Sequence, residues 1–422
     1  MWRHDIVHRV RGTVAQRQGE LVDLAQRLIR IRSENPPGDT TEISTFVVDY
    51  LRAHDWDPHW HEPSRGAVSL VATTAGGQGG HVILCGHSDT VPAGNPSGWS
   101  FPPFCGDVVD GEVRGRGASD MKGGLAAMLF ASTLVREVIP TLPGPLTVAI
   151  VGDEETGGAE GAAWLLEQGL IRGDACLIGE PSPPLNPTVG QKGSCWLEIT
   201  VAGKAAHGST APLGGDNAIV TASRVVLALQ DVWHLEVWLP PDVEPLVRSS
   251  AEWMMRAGEG RYAQLLDHIS VNVGVIQGGR KINMVPDQCV LHVDCRLPFG
   301  VEPADLLRRV RALVAGRVPG GDRVEVRLLR GGTASFTAPE ELIVQAVLEG
   351  IRLVKGAEAQ PILQWASSDA RHFRRFGIPT LQYGPAHLET IHAVDERVAI
   401  ADLVDAACVY ATALLRYWEL TA

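Results

Sequence analysis

Apolar residues follow a helical spacing near the start of the chain and then form short continuous runs. The helical spacing predicts helices over residues 15–31 and 41–54, and the Pro-Pro-Gly at 36–38 is expected to end the first of them. Residues 81–87 and 146–152 are nearly continuous apolar runs, which are typical of strands buried on both faces. Because helices alternate with such strands, the pattern predicts an α/β domain with a mostly parallel sheet.

A different pattern occupies the middle of the chain, where apolar and polar residues alternate as they do in half-exposed strands. Two stretches with helical spacing, near residues 216–230 and 303–315, interrupt four such segments. The resulting order β-α-β-β-α-β is that of a ferredoxin-like unit, a four-stranded antiparallel sheet with two helices on one side. The alternating segments are residues 194–204, 269–279, 288–298 and 323–332.

Helical and buried-strand patterns resume after about residue 338, so the α/β domain is predicted to be discontinuous. We place it at residues 1–191 and 334–422, with residues 192–333 as an inserted α+β domain. Residues 231–268 combine Trp, Pro and charged side chains in a way that fits neither domain, and we expect a helical excursion there.

The charge balance excludes some classes of partner. The 422 residues include 49 Asp and Glu against 37 Lys and Arg, and the net charge of −12 repels nucleic acid and anionic membranes. The chain contains no run of 18 apolar residues, and charged residues stand near its start, where a secretory signal would be apolar. We therefore expect a cytoplasmic protein that binds neither nucleic acid nor membrane.

The cysteines argue against a disulfide framework and against a thiolate metal site. There are seven, an odd number, and none forms a Cys-x-x-Cys pair. If the chain binds a metal, its ligands are therefore expected among the 14 histidines and the acidic residues.

Acidic and histidine residues directly follow the predicted buried strands, and in an open α/β sheet ligands collect at the carboxyl ends of the strands. His87-Ser-Asp89 follows the first strand, and Asp89 is expected to hydrogen-bond the far ring nitrogen of His87, as carboxylates do behind metal-binding imidazoles. Asp153-Glu154-Glu155 follows the second strand. Adjacent carboxylates repel one another unless a bound cation or proton neutralises their charge, so this cluster indicates a metal site. An acidic turn exposed to solvent is the alternative interpretation.

A third cluster surrounds Asp120, and two further candidates, Glu180 and His392, are weak when each is taken alone. Asp120 lies in the glycine-rich segment GRGASDMKGG, whose spacing matches neither the Walker phosphate loop nor the dinucleotide fingerprint. Glu180 follows another predicted strand, and His392 lies near the C-terminus, where a single histidine is usually an ordinary surface or core residue. Together, however, two histidines and several carboxylates offer nitrogen and oxygen ligands suited to two zinc-like ions.

The complete series of motifs resembles the family of dinuclear zinc amidohydrolases, which includes acetylornithine deacetylase, succinyl-diaminopimelate desuccinylase, aminoacylase-1 and carboxypeptidase G. The motifs occur in the expected order over nearly the whole chain: His-x-Asp, Gly-Arg-Gly-x-x-Asp-Met-Lys-Gly-Gly, Asp-Glu-Glu-x-Gly, Gly-Glu-Pro-Ser and Ile-His. The resemblance implies two divalent ions per chain, with zinc expected and cobalt or manganese as substitutes.

The resemblance also implies a role for each matching residue. Asp120 would bridge the two ions, His87 and Glu180 would complete one site, and Glu155 and His392 would complete the other. The family has a cis peptide after its bridging aspartate, which here would join Asp120 to Met121.

Two more residues receive roles near the ions. Asp89 would stand behind His87, and Glu154 would be the general base that takes a proton from a metal-activated water and passes it to the leaving amine. Because neighbouring side chains of an extended strand point to opposite sides, the backbone at Glu154 and Glu155 is expected to be irregular.

Residues outside the acidic clusters also match the family. His207 resembles a histidine that the partner subunit of a dimer supplies to stabilise the oxyanion, although a loop histidine without a role is the alternative. Asn283 and Arg296 resemble residues that hold the substrate carboxylate, and for Arg296 a surface salt bridge is the alternative. Ser368 lies where the family has a loop of small residues that binds substrate.

These matches imply a metal-dependent hydrolase that cleaves the amide bond of a small, carboxylate-bearing N-acyl amino acid. The implied assembly is a homodimer formed through the inserted domain, which would also close over the metal site as a lid. A dipeptidase or carboxypeptidase of the same fold is one alternative, and a catalytically inactive binding homologue is another.

Overall fold

The structure is a computed structural model that describes residues 2–139 and 141–422, with side chains described from residue 7 onward. The chain divides into two compact units. The first, here called the catalytic unit, comprises Met1–Val189, Phe336–Ile362 and Ser368–Ala422. The second, here called the inserted unit, comprises Gly190–Ser335 and Leu363–Ser367.

The helices of the catalytic unit bury their apolar faces as the spacing predicts. The helix predicted over 15–31 begins at Gln18 and ends at Arg30, with Leu21, Leu24 and Leu28 buried, and a preceding helix that the pattern did not predict ends at Gln16. No helix in the described part of the chain is both long and apolar enough to cross a bilayer. The helices are Trp2–Gln16, Gln18–Arg30, Thr41–Ala53, Gly123–Val138, Ala162–Glu167, Leu342–Lys355, Ala370–Arg375 and Ile400–Thr421.

The main sheet contains nine strands among the described residues, and its centre is parallel. Leu146–Val151, Val82–His87, Ala175–Ile178 and Thr380–Gln382 are consecutive parallel neighbours, whereas the next strand on either side is antiparallel. Every residue of these four strands is buried, which explains their continuous apolar sequences and confirms the predicted α/β class. The other strands are His59–Ser64, Ala67–Thr74, Thr188–Gln191, Ser335–Phe336 and Ile362–Gln364.

A small antiparallel sheet lies elsewhere in the catalytic unit. Its strands are Asp107–Val109, Glu112–Arg114 and Arg397–Ala399. In the register of this sheet Arg397 is opposite Arg114. The sheet therefore joins the segment that precedes Asp120 to the segment that follows His392, although the two are far apart in the sequence.

The inserted unit is a four-stranded antiparallel sheet with two long helices. The strand order is Ser270–Gly278, Gln288–Leu297, Gly193–Ala202, Val324–Gly332, which is the ferredoxin-like topology predicted from the alternation. The helices Ala218–Leu229 and Pro303–Arg317 share one apolar core with the sheet.

The segment between the first long helix and the strand Ser270–Gly278 is helical, as the sequence predicted for residues 231–268. Glu244–Arg256 forms a regular helix that buries Leu246, Val247 and Met254. A short helix, Gly260–Ala263, follows it.

Candidate metal centre

The predicted ligands of the catalytic unit converge at the carboxyl ends of its parallel strands. His87 is the last residue of one strand, the turn that carries Glu154 and Glu155 follows the neighbouring strand Leu146–Val151, and Glu180 follows Ala175–Ile178. Because parallel strands all end at the same edge of a sheet, these side chains meet there.

Asp120 lies between the two histidines. Its Oδ1 is 3.1 Å from His87 Nε2, and its Oδ2 is 3.2 Å from His392 Nε2. Glu180 Oε1 lies 3.7 Å from His87 Nε2, and Glu155 Oε2 lies 3.4 Å from His392 Nε2. The structure thus brings together all five residues that the sequence proposed as metal ligands.

Two groups of side chains could hold a metal ion among the described residues. In each group, one ligand atom from every member lies within 4.8 Å of the others. The first group is His87, Asp120 and Glu155, and the second is His87, Glu154 and Glu180. Because the donors are imidazole nitrogen and carboxylate oxygen with no thiolate, the set suits zinc, cobalt or manganese.

The backbone around Asp120 takes the form that the resemblance implied. The peptide bond between Asp120 and Met121 is cis. The helix Gly123–Val138 begins shortly afterwards, and the Met121 sulfur accepts a hydrogen bond from the amide of His87 at 3.2 Å.

Glu154 and Glu155 lie in a short 3₁₀ turn, so the irregular backbone that was predicted there is confirmed. The amides of both residues donate to the carboxylate of Asp89, each at 3.2 Å. The amide of Val91 donates to Glu155 Oε1 at 3.1 Å. The turn is therefore fixed by the segment that follows His87.

Asp89 contacts His87 differently from the prediction. His87 Nδ1 lies 2.9 Å from the main-chain carbonyl oxygen of Asp89 and 3.6 Å from its carboxylate, which is too far for a good hydrogen bond. The carboxylate instead accepts hydrogen bonds from the Glu154 and Glu155 amides and from Asn35 Nδ2 at 2.9 Å. Asp89 thus orients the imidazole through its backbone and the Glu154–Glu155 turn through its side chain.

Burial of several carboxylates in one place raises the pKa of three of them. The pKa of Glu154 is raised well above its usual range by burial and by the charges of Glu180 and Asp369. Burial and the Asp120 charge raise the pKa of Glu180 to about 8. Burial also raises the pKa of Glu155, although its hydrogen bond with His392 opposes the rise.

The pKa shifts of Asp120 and His392 instead favour the charged form of each side chain. Burial opposes ionisation of Asp120, but its contacts with His392 and His87 hold the pKa of that carboxyl well below its usual range. Hydrogen bonds to Asp120 and Glu155 raise the pKa of His392 to about 10. The site therefore concentrates negative charge that positive groups stabilise, which is the electrostatic condition for binding divalent cations.

Sequence reasoning did not assign roles to several residues that organise this site. Asn35 is buried and donates to Asp89 and to Thr156, but no motif contains it. Arg116 lies within the segment GRGASDMKGG and Glu396 lies four residues after His392, yet only the folded chain shows that they pair. Their closeness in sequence to Asp120 and His392 was the available indication.

Asp369 is a further buried carboxylate, and its charge contributes to the raised pKa of Glu154. It is 1% exposed, and neither of its carboxylate oxygens has a hydrogen-bond partner. Its neighbour Ser368 is also buried, and the Ser368 hydroxyl accepts a hydrogen bond from the amide of Ala370 at 3.2 Å. Ser368 therefore has a local contact at the start of the helix Ala370–Arg375, and its predicted role in substrate binding stays a prediction.

The remaining predicted residues lie in the inserted unit. His207 is exposed, and its Nδ1 lies 2.7 Å from the hydroxyl of Ser209. The loop of His207 pairs with the loop of Asn283, since the Gly208 amide donates to the Asn283 carbonyl at 2.8 Å. Arg296 is about one-third exposed, and its Nε donates to Asp294 at 3.0 Å.

Comparisons with known proteins agree with this geometry. Residues 83–416 match the model of peptidase family M20/M25/M40. A succinyl-diaminopimelate desuccinylase from Methylorubrum extorquens is 28% identical over 410 residues, covering 94% of this chain and 98% of the relative. Another from Rhodospirillum centenum is 31% identical over 413 residues, covering 94% and 97%.

A solved structure shows the same fold at lower sequence identity. The crystal structure of an M20 family metallo-carboxypeptidase from Sulfolobus solfataricus has a TM-score of 0.80 and 19% identity, covering 95% of this chain and 99% of that one. The matched segment runs from the strand of His87 to the final helix and so contains all five predicted ligands. The chain therefore belongs to peptidase family M20/M25/M40 and is an amidohydrolase.

Proposed function

We propose that this protein is a deacylase that hydrolyses the amide bond of a small, carboxylate-bearing N-acyl amino acid. The observation that carries the proposal is the position of Asp120 between His87 and His392, at 3.1 and 3.2 Å, with three more carboxylates around them. The two relatives described above, both named succinyl-diaminopimelate desuccinylase, support an N-succinyl amino acid as the first substrate to test.

Two divalent ions, preferentially zinc, fit the donor set of the catalytic unit. We assign Asp120 as the ligand common to both ions, His87 and Glu180 to one, and Glu155 and His392 to the other. When bound, such ions lower the pKa of a water molecule and polarise the scissile carbonyl. The carboxylates of this donor set supply the negative charge that would hold such ions.

Glu154 is the proposed general base. Its amide is anchored to Asp89, and burial beside Glu180 and Asp369 raises the pKa of its carboxyl, so it accepts a proton more readily than an exposed glutamate. In the forward reaction Glu154 takes a proton from the attacking water and then delivers it to the leaving amine. Asp89 is a positioning residue, because it holds the Glu154 amide and the ring of His87 in one arrangement.

The inserted unit is proposed to hold the substrate. Arg296 would bind a carboxylate through its terminal nitrogens while its Nε stays on Asp294, and Asn283 would add a side-chain amide. His207 would donate a hydrogen bond to the tetrahedral intermediate. Ser368, in the catalytic unit, is assigned to the loop that contacts the substrate.

The inserted unit is also the proposed site of dimerisation. Ser270–Gly278 is an edge strand of its sheet, and Val275 and Ile276 on it are 39% and 51% exposed. Leu227, on the helix Ala218–Leu229, is 63% exposed. An edge strand with exposed apolar side chains favours pairing with another strand, and a second copy of the chain offers an identical one.

A cytoplasmic location stays a prediction from composition.

A hydrolysis screen tests the proposed reaction. Purified protein loaded with zinc or cobalt is assayed against N-succinyl, N-acetyl, N-formyl and N-carbamoyl amino acids and against dipeptides with a free amine. We expect release of the amino acid from at least one N-acyl substrate at rates well above those for dipeptides. Faster cleavage of dipeptides would make the protein a peptidase, and two bound ions without any hydrolysis would favour an inactive binding homologue.

A further inference from the structure

The buried carboxylate of Glu396 is hydrogen-bonded to the segment that leads to Asp120. Glu396 is 0% exposed and accepts four hydrogen bonds. Its Oε2 accepts from Arg116 Nη1 at 2.5 Å and from the Gly117 amide at 3.0 Å. Its Oε1 accepts from the amides of Ser119 and Asp120, each at 2.9 Å. The backbone of Asp120 is thus tied directly to a residue that follows His392 in the sequence.

Arg116, which pairs with Glu396, also contacts the loop that carries His392. Arg116 is 2% exposed, and its Nη2 donates to the main-chain carbonyl of Ala393, the residue after His392, at 2.9 Å. The Ser119 hydroxyl adds a third link, because it donates to the carbonyl of Arg397 at 2.7 Å. Arg116 and Ser119, which precede Asp120, therefore donate to the segment that follows His392, and the Glu396 side chain of that segment accepts from the backbone before Asp120.

Stability alone does not account for an ion pair in this position. Burying two charges costs solvation energy that their attraction only partly recovers, so a well-packed apolar pair is often as stable. What the charged pair provides is geometry: the guanidinium contacts a carboxylate and a carbonyl at once, and the carboxylate accepts from several amides. His392 needs such support, because its side chain is half exposed and its φ is +59°.

We infer that Arg116 and Glu396 are positioning residues that hold the loops of Asp120 and His392 at the separation required to bind one divalent ion together with Glu155. The inference rests on the proposed two-ion site. His87 ends one strand of the main sheet and Glu180 follows another, so the ion that they share with Asp120 keeps two ligands that the pair does not hold. The other ion depends on the loops of both Asp120 and His392, so loss of the pair should weaken that ion selectively.

Titration of the metal-free, full-length protein with Co²⁺ tests the inference, with calorimetry and the visible cobalt spectrum as readouts. The first variant is Arg116→Lys, which keeps the positive charge but loses the two guanidinium nitrogens that donate to Glu396 and Ala393. The second is Glu396→Gln, which places an amide NH₂ group among backbone amides and a guanidinium that can only donate. The control is Glu349→Gln, because Glu349 lies 2.6 Å from Arg416 in another partly buried pair that joins two helices without metal ligands.

We expect wild type and Glu349→Gln to bind two ions, and both Arg116→Lys and Glu396→Gln to bind one normally and a second at least tenfold more weakly. The cobalt spectrum of the variants should match that of wild type loaded with one equivalent. Variants that bind both ions as wild type does would overturn the inference, and so would variants that fail to fold, since the pair would then serve the fold as a whole. Failure of the wild type to bind two ions would instead refute the proposed site.

Discussion

His392 Nε2 lies 3.2 Å from Asp120 Oδ2, although Asp120 precedes the helix Gly123–Val138 and His392 precedes the final helix of the chain. The same nitrogen lies 3.4 Å from Glu155, which comes from a third segment. A metal ion bound here would therefore join three distant parts of the chain. Metal binding and the tertiary structure of the catalytic unit should consequently be coupled.

Glu154 and Glu155 are adjacent residues with different proposed tasks, so the same substitution should have different effects. Glu154→Gln is expected to lower kcat roughly 10²- to 10⁴-fold, the usual contribution of a general base, while two ions remain bound. Glu155→Gln should also lose activity, but with loss of one ion. The comparison requires the number of bound ions per chain and kcat to be measured for both purified variants. Loss of an ion from Glu154→Gln would mean that Glu154 is a ligand, which its place in the group with His87 and Glu180 allows.

His207 should act across the dimer if the inserted unit is the dimer interface. The variants His207→Ala and Glu154→Gln are each expected to be nearly inactive as homodimers. After the two are mixed and allowed to exchange subunits, roughly a quarter of the wild-type activity should return, because half of the dimers are mixed and each has one complete site. No recovery after demonstrated exchange would place His207 and Glu154 in the same chain's site, and an active His207→Ala homodimer would leave His207 without a role.

Arg296 should affect substrate binding more than the chemical step. A charge-assisted hydrogen bond contributes about 1.5–3 kcal/mol, so Arg296→Met should raise KM for a carboxylate substrate by roughly 10- to 100-fold. A substrate with that carboxylate converted to an amide should lose the same factor with the wild type and little more with the variant. Arg327→Met is the matched control, since Arg327 lies on a strand of the same sheet and pairs with Glu198. Equal effects on the acid and amide substrates would assign Arg296 to its salt bridge with Asp294.

Lys192 should make the stability of the protein depend on pH. It is 2% exposed, its Nζ donates to the His268 carbonyl at 2.6 Å, and burial with the nearby charge of Arg296 lowers its pKa from 10.5 to about 7. Between pH 7 and pH 10.5 the unfolded chain binds more protons than the folded one at this site, so the free energy of unfolding rises with pH there. The cost of burying the charge is fully present below pH 7.

Lys192→Met removes that cost. We expect the variant to be more stable than wild type at pH 6 by about 1–4 kcal/mol, less the loss of one hydrogen bond, and the difference to shrink toward pH 10. Urea unfolding at several pH values measures it, with the exposed Lys204→Met as a control. A difference that does not vary with pH would show that Lys192 is charged in the folded protein throughout this range.

Local patterns were sufficient to predict most of the elements. The continuous apolar runs that became Val82–His87 and Leu146–Val151 have no polar face, so they suit only strands covered on both sides. The alternation in Gly193–Ala202 and Gln288–Leu297 likewise indicated a sheet with one covered face. The helix Trp2–Gln16 was missed although Val7, Val10 and Val14 have the spacing of one helical face, because charged and polar residues outnumber the apolar ones there.

The amino-acid sequence by itself determined the class of fold and the inserted ferredoxin-like unit, because periodicity is a local property of the chain. The five candidate ligands came from the resemblance of its motifs to a known family. Only the tertiary structure decided that Asp89 contacts His87 through its carbonyl and directs its carboxylate to Glu154 and Glu155. Only the tertiary structure also decided that Arg116 pairs with Glu396. Such contacts depend on distances between segments remote in sequence, and those distances are set by packing of the whole unit.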